Sequence, residues 1–152
     1  MENTIKLYQG DCLELMQDIP TGSVDMVLCD LPYGITACKW DSVIPFAPLW
    51  EQYKRVTKPC GAMVLFAAQP FTTALINSNR QNFRYCWYWK KNNKTGGPFA
   101  RVQPMRCIED IAVFYRKAPT YNPQGLVKLK KPIINKPVKN NLYQYGGKST
   151  VQ

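Results

Sequence analysis

The sequence predicts an α/β fold around a mixed sheet, and three segments carry that prediction. Residues 24–29 and 62–67 are nearly continuous apolar runs rich in strand formers, which is typical of strands buried on both faces. Between them, apolar residues recur at steps of three and four over 46–58, as in an amphipathic helix. Strand and helix alternating in this way indicate an α/β sheet covered by helices.

Shorter patterns predict the remaining elements. Residues 109–115 form a last apolar run, and the aromatic-rich segment 83–90 precedes it across a stretch of turn composition, 91–98. Strand, long loop and strand predict an antiparallel pair at an edge of the sheet. Alternating side chains predict a strand at 4–8, and helical spacing predicts a helix at 12–18. Pro70 is suited to open a further helix at 71–77.

Composition fits one globular domain and excludes several kinds of chemistry. The chain has 152 residues, 45% of them hydrophobic, which is enough for a core without metals or disulfides. It has no histidine, so Ser-His-Asp, Cys-His and His-metal sites are excluded. The six cysteines keep no metal-ligand spacing and predict reduced, mostly buried thiols of a cytoplasmic protein. No signal peptide or membrane span is expected.

Charge is distributed unevenly along the chain, whose formal net charge is +10. Residues 1–51 hold eight acids and two bases, whereas residues 52–152 hold two acids and eighteen bases. The basic part predicts a polyanionic partner, although an ordinary soluble basic protein has the same composition. Proline and lysine dominate after residue 117, so we expect an α/β unit at 1–117 and a basic extension at 118–152.

One loop stands where chemistry is expected in such a sheet. Asp30, Leu31, Pro32 and Tyr33 directly follow the apolar run 24–29. Ligands of open α/β sheets bind beyond the carboxyl ends of strands, which favours a functional loop over the alternative, a turn with a capping aspartate. The loop resembles the D-P-P-Y motif of amino-methyltransferases, which transfer a methyl group from S-adenosylmethionine to an exocyclic nitrogen of adenine or cytosine.

The resemblance covers essentially the whole chain and implies a Rossmann-like, S-adenosylmethionine-dependent methyltransferase sheet. The order of motifs resembles that of permuted, β-class DNA enzymes, in which the recognition region follows the catalytic half. The glycine-rich cofactor turn of these enzymes has no counterpart in the sequence. We therefore expect an incomplete catalytic half, with a target-recognition region beginning at 118–152. A second chain or a further C-terminal segment would complete the cofactor site, and the isolated chain would be inactive.

The resemblance implies a role for each residue of the loop. Asp30 and the main-chain carbonyl of Leu31 would accept the two amino hydrogens of the target base, and Pro32 would keep Leu31 extended. Tyr33 would stack on a base rotated out of the duplex. Aspartate at the first position goes with adenine-N6 enzymes and serine with cytosine-N4 enzymes, so adenine is expected and cytosine is the alternative. The resemblance also implies an origin in a restriction-modification system or a phage.

The resemblance also implies where cofactor and DNA would bind. Asp11, Cys12 and Asp30 would contact S-adenosylmethionine, although Asp11 is equally suited to cap the helix that follows it. Trp40 and Asp41 would help to order the loop, with ordinary packing of Trp40 as the favoured alternative. The phosphates of double-stranded DNA would be bound by the basic residues Lys90, Lys91, Lys94, Arg101, Arg106, Lys128, Lys130 and Lys131.

Other functions remain open at this point. A non-catalytic DNA-binding relative would use the basic region without transferring a methyl group, and a merely solvated basic loop would not contact DNA. Methylation of RNA or protein would use the same amine chemistry. A metal site is not expected, because histidine is missing and the cysteines are scattered.

Overall fold

The computed structural model describes residues 4–127. Of these, residues 4–121 form one compact unit, and residues 122–127 belong to a second. The elements of the first unit are α1 (Cys12–Leu15), a 3₁₀ turn (Met16–Asp18), β1 (Val24–Asp30), α2 (Phe46–Val56), β2 (Thr57–Ala67), α3 (Phe71–Ser78), β3 (Phe83–Thr95), a second 3₁₀ turn (Gly97–Phe99) and β4 (Arg106–Tyr115).

The four strands form one mixed sheet in the order β1, β2, β4, β3. β1 runs parallel to β2, whereas β4 is antiparallel to both β2 and β3. The predicted antiparallel pair at the sheet edge is therefore confirmed. In this arrangement the carboxyl ends of β1, β2 and β3 lie at the same edge of the sheet, which is where the loop that begins with Asp30 leaves β1.

A glycine sets how closely β1 and β2 approach at their amino ends. A Cβ atom on Gly61 would lie 2.7 Å from the main-chain oxygen of Asp25 and 2.5 Å from Cγ2 of Thr57. Real Cβ atoms do not come this close, so a larger side chain would push the strands apart. The pairing is irregular there, between Val24 and Met26, and then continues regularly to Asp30.

Helices cover one face of the sheet and form the main core there. Leu49 of α2, Leu65 of β2 and Phe114 of β4 are fully buried in this cluster. Each such side chain contributes about 1.5–3 kcal/mol through removal from water. Trp50 is also buried, and its indole N–H donates to the Ser78 hydroxyl at 2.7 Å, which links α2 to the end of α3.

The other face of the sheet is only partly covered, which contradicts one prediction. Met26 and Leu28 of β1 are 54% and 59% exposed, and Trp87 of β3 is 49% exposed. β1 is therefore not buried on both faces, because its side chains alternate and the described helices pack against one face alone. A small cluster around Val64 and Val113 covers the middle of the open face.

Three further expectations differ from the structure. Residues 4–8 form no strand, since the described part of the chain offers no neighbour that takes up their backbone hydrogen bonds, and Leu7 is 91% exposed. β3 continues to Thr95, through part of the expected 91–98 loop, because β4 begins early enough for Arg106 to pair with Thr95. The six cysteines are free as predicted, but none is fully buried.

Candidate functional site

The loop after β1 is anchored in the core at its second residue. Asp30 is exposed at the end of the strand, where it pairs with Phe66 of β2. Leu31 turns inward and is only 5% exposed, within the same hydrophobic cluster as Leu49 and Leu65. A buried apolar side chain here fixes the backbone on either side of it. The main-chain groups of the loop are thus held by packing.

Tyr33 closes the loop back onto Asp30. Its hydroxyl donates to Oδ1 of Asp30 at 2.7 Å, and its ring lies 5.2 Å from that of Phe71, measured between centroids. Burial raises the pKa of Tyr33 above its ordinary value, and the hydrogen bond to Asp30 raises it further. The phenol therefore remains protonated near neutral pH and keeps donating to the carboxylate.

Asp41 holds the next turn of the chain by its main-chain amides. Its two carboxylate oxygens accept from the N–H groups of Gly34 at 2.8 Å, Ile35 at 2.9 Å and Thr36 at 2.7 Å. Hydrogen bonds from the Thr36 side chain and the Gly34 N–H lower the pKa of the Asp41 carboxyl to about 2. Gly34 has a φ of +68°, in the left-handed region that glycine adopts without strain. Asp41 thus orders the segment that follows Tyr33.

The loop and its anchor enclose a cleft of about 470 Å³. We call it the loop cleft; it is lined by Asp30, Leu31, Pro32, Tyr33, Ile35, Thr36, Trp40 and Asp41. All four predicted loop residues are therefore brought together with Trp40 and Asp41. Ordinary packing, the favoured alternative for Trp40, is wrong, because this side chain is 72% exposed at the cleft.

A second cleft of about 280 Å³ adjoins the first, and Tyr33 and Ile35 line both. Lys91 and Arg106, two of the predicted phosphate-binding residues, line this second cleft, which we call the basic cleft. Lys91 is paired with Glu109 at 2.8 Å, so part of its charge is already neutralised. The other predicted phosphate-binding residues that the structure describes, Lys90, Lys94 and Arg101, are exposed. Lys128, Lys130 and Lys131 lie outside the described residues.

The structure does not bring the three predicted cofactor residues together in one cavity. Cys12 lines a hollow of about 220 Å³ near the amino end, whereas Asp11 and Asp30 do not line it. Asp11 accepts the main-chain N–H of Leu13 at 2.8 Å, which confirms its capping role. Partial burial raises the pKa of the Cys12 thiol, and the nearby Asp11 and Cys29 raise it further. Cys12 is therefore a neutral thiol beside β1.

The prediction that Asp41 helps to order the loop is confirmed by its three hydrogen bonds. The donors themselves had no signal in the sequence, because they are main-chain amides, which carry no sequence signature.

Within residues 4–127, no cluster of three or more histidine, cysteine or acidic side chains could hold a metal ion. None of the helices in this range is long and apolar enough to cross a membrane.

Known proteins resemble the chain in sequence, although no protein-family model matches it. It is 26% identical to the type II methyltransferase M.BamHI of Bacillus amyloliquefaciens over 153 aligned residues. The alignment covers 93% of the chain and 35% of that protein. The chain therefore spans about a third of the length of this curated relative.

Solved structures resemble the chain in fold. M1.HpyAVI, in a complex with SAM, matches 90% of the chain and 69% of its own length, with a TM-score of 0.57 and 22% identity. The cytosine-N4-specific PvuII DNA methyltransferase matches 85% of the chain and 58% of its own length, with a TM-score of 0.60 and 15% identity. The chain therefore shares the Rossmann-like fold of these two structures. The predicted fold class is confirmed.

Replacing Asp41 by asparagine should destabilise the protein above pH 4 and have less effect in acid. Because the folded state lowers this pKa from 3.8 to about 2, the carboxylate stabilises the fold above the unfolded value, and its contribution is lost as pH falls through the folded one. Urea unfolding of wild type and Asp41→Asn across pH 2 to 7 measures the difference.

The matched control is Asp25→Asn, which removes an exposed carboxylate paired with Lys58 at 2.7 Å. Exposed pairs contribute at most about 1 kcal/mol, so its unfolding curve should stay close to wild type. A stability gap between wild type and Asp41→Asn that is equally large at pH 2 and pH 7 would contradict the anchoring role of the ionised carboxylate.

Proposed function

We propose that this chain is the catalytic part of an S-adenosylmethionine-dependent DNA amino-methyltransferase whose target is N6 of adenine. The observation that carries the proposal is the loop Asp30–Tyr33 itself. Asp30, Leu31 and Tyr33 line one cleft at the carboxyl end of a strand, and the Tyr33 hydroxyl donates to Asp30. The likeness to DNA methyltransferases in sequence and fold supports DNA as the substrate.

Methylation of an exocyclic amine requires hydrogen-bond acceptors for its two amino hydrogens. The lone pair of the adenine amino group is delocalised into the ring, so the nitrogen attacks only when it is drawn toward tetrahedral geometry. In our proposal the carboxylate of Asp30 accepts one amino hydrogen and the main-chain oxygen of Leu31 accepts the other. Burial of the Leu31 side chain keeps that oxygen in place before the base arrives, which lowers the cost of alignment.

In this proposal Tyr33 contacts both the target base and the carboxylate of Asp30. Its hydroxyl holds one oxygen of Asp30, which orients the carboxylate, and its ring offers a face on which the target base stacks after leaving the duplex. The contact with Phe71 supports the ring from the protein side. Because the pKa of Tyr33 is raised, no second negative charge develops beside Asp30.

The described residues fit only part of the cofactor. The hollow beside Cys12 offers about 220 Å³, and the glycine-rich turn expected for the methionine portion is absent from the sequence. We propose that Asp11, Cys12 and Asp30 contact the portion of S-adenosylmethionine that this chain can hold. When bound, S-adenosylmethionine supplies the electrophilic methyl group. A second chain or a further segment of polypeptide would provide the rest of the site.

The basic cleft is suited to the DNA backbone beside the base. Lys91 and Arg106 stand next to Tyr33, where they can neutralise the phosphates that flank a rotated nucleotide. We propose that Lys90, Lys94 and Arg101 extend this contact. The basic segment 118–152, with Lys128, Lys130 and Lys131, would begin the target-recognition region and follow the catalytic unit 1–117.

Cytosine N4 is the second candidate target. The similarity to the cytosine-N4-specific PvuII enzyme favours it, since that structure shares the fold over 85% of the chain. Aspartate at the first position of the loop favours adenine. Either base presents an amino group with two hydrogens to the same two acceptors, so the mechanism is unchanged.

Asp30→Ala should abolish methyl transfer without weakening DNA binding. In the enzyme with its complementing segment, we expect turnover to fall by about 100-fold or more and DNA affinity to stay within a few-fold, because the lost interaction develops in the transition state. Transfer of labelled methyl groups to DNA, followed by analysis of the nucleosides, measures the rate and identifies the methylated base.

Asp25→Ala is the matched control, since Asp25 is another exposed carboxylate of β1 and lies outside the loop cleft. It should turn over like wild type. Normal turnover of Asp30→Ala would refute the mechanism. Salt-sensitive DNA binding without any methyl transfer, even in the completed enzyme, would instead favour a non-catalytic DNA-binding protein.

The isolated chain should bind S-adenosylmethionine weakly or not at all. Half of a pocket retains little affinity, because the interactions that remain must still offset the loss of translational and rotational freedom. Isothermal titration calorimetry of the 152-residue chain tests this directly. A stoichiometric site with micromolar affinity would show that these residues form a complete cofactor site.

A further inference from the structure

Trp40 is exposed in a way that the fold does not explain. Its side chain is 72% exposed, whereas Trp50, which packs between the helices and the sheet, is 4% exposed. Tryptophan has the largest apolar surface of any side chain, so leaving it in water forgoes a large hydrophobic stabilisation. Trp40 nevertheless lines the loop cleft, together with Tyr33.

The backbone around Trp40 is fixed. The next residue, Asp41, is buried and accepts three main-chain N–H groups from the segment that follows Tyr33. The N–H of Asp41 itself donates to the carbonyl of Cys38 at 3.0 Å, which closes a turn around Trp40. The carboxylate of Asp41 therefore ties the position of Trp40 to that of Tyr33.

The two clefts differ in charge, so each suits a different part of a nucleotide. The loop cleft is lined by Asp30 and Asp41 and by no basic side chain, so a phosphate would be repelled there. The basic cleft next to it is lined by Lys91, Arg106 and Glu109; Glu109 pairs with Lys91, so one net positive charge remains. This difference in charge favours the phosphates of a nucleotide at the basic cleft and its neutral, amine-bearing base beside Trp40.

We propose that Trp40 contacts the DNA: its ring stacks on an unstacked DNA base in the loop cleft, and Asp41 is its positioning residue. The inference rests on the proposed function and adds a second aromatic contact to that of Tyr33. Stacking on an aromatic ring tolerates every base, because each presents a π-face. The contact therefore strengthens capture of a rotated base without selecting its identity.

Binding of single-stranded oligodeoxynucleotides by the full chain tests the contact without needing cofactor or turnover. Fluorescence anisotropy at two salt concentrations should show that Trp40→Ala weakens binding by about fivefold or more. The factor should be the same at both concentrations, because no cation is removed and the salt dependence reports only phosphate contacts. Trp40→Phe, which keeps a ring, should recover most of the lost affinity.

Trp87→Ala is the matched control, since Trp87 is 49% exposed and lines a different cavity on the open face of the sheet. It should bind as wild type does. The inference is overturned if wild type does not bind, if Trp40→Ala binds as tightly as wild type, or if Trp87→Ala loses as much affinity. Trp40-dependent binding together with no methyl transfer by the completed enzyme would refute the proposed function and leave the stacking contact standing.

Discussion

The parallel pairing of β1 with β2 is the constraint on which the site depends. It runs regularly from Met26 to Asp30, where Asp30 pairs with Phe66, and it begins at a close approach that only Gly61 permits. Because the two strands are parallel, their carboxyl ends share an edge, and the backbone leaves β1 with Asp30 at that edge. The sheet thereby decides where the acidic side chain stands before any ligand is present.

The loop beyond this point is held from two sides. On one side Leu31 enters the core, and on the other Asp41 gathers three amides of the segment that follows Tyr33. The Tyr33 hydroxyl links the two halves through Asp30. Groups fixed in this way do not have to be ordered when a base binds, which is the usual physical source of a site's efficiency. This packing restrains the carbonyl of Leu31, whose own side chain lies in the core.

The sequence predicted those parts of the fold that local patterns determine. The apolar runs at 24–29 and 62–67, the helix at 46–58 and the last strand near 109–115 could be placed because their periodicity reflects a single buried face or run. The exposure of the second face of β1 could not be predicted, since it depends on which other elements pack there. The strand predicted at 4–8 is absent for a similar reason, because alternation of side chains does not supply a pairing partner.

Part of the candidate site could be predicted in the same way. Asp30 and Tyr33 were singled out because their order in the chain is distinctive and follows a strand, whereas the main-chain amides that Asp41 binds, five to seven residues away, carry no sequence pattern. A structure of the protein bound to its DNA target would show whether the loop from Asp30 to Tyr33 clamps an amino group. We expect an adenine outside the duplex, with its N6 within hydrogen-bond distance of the Asp30 carboxylate and the Leu31 carbonyl. A target base that stays stacked in the duplex, or that leaves it and binds away from this loop, would refute this role of the loop.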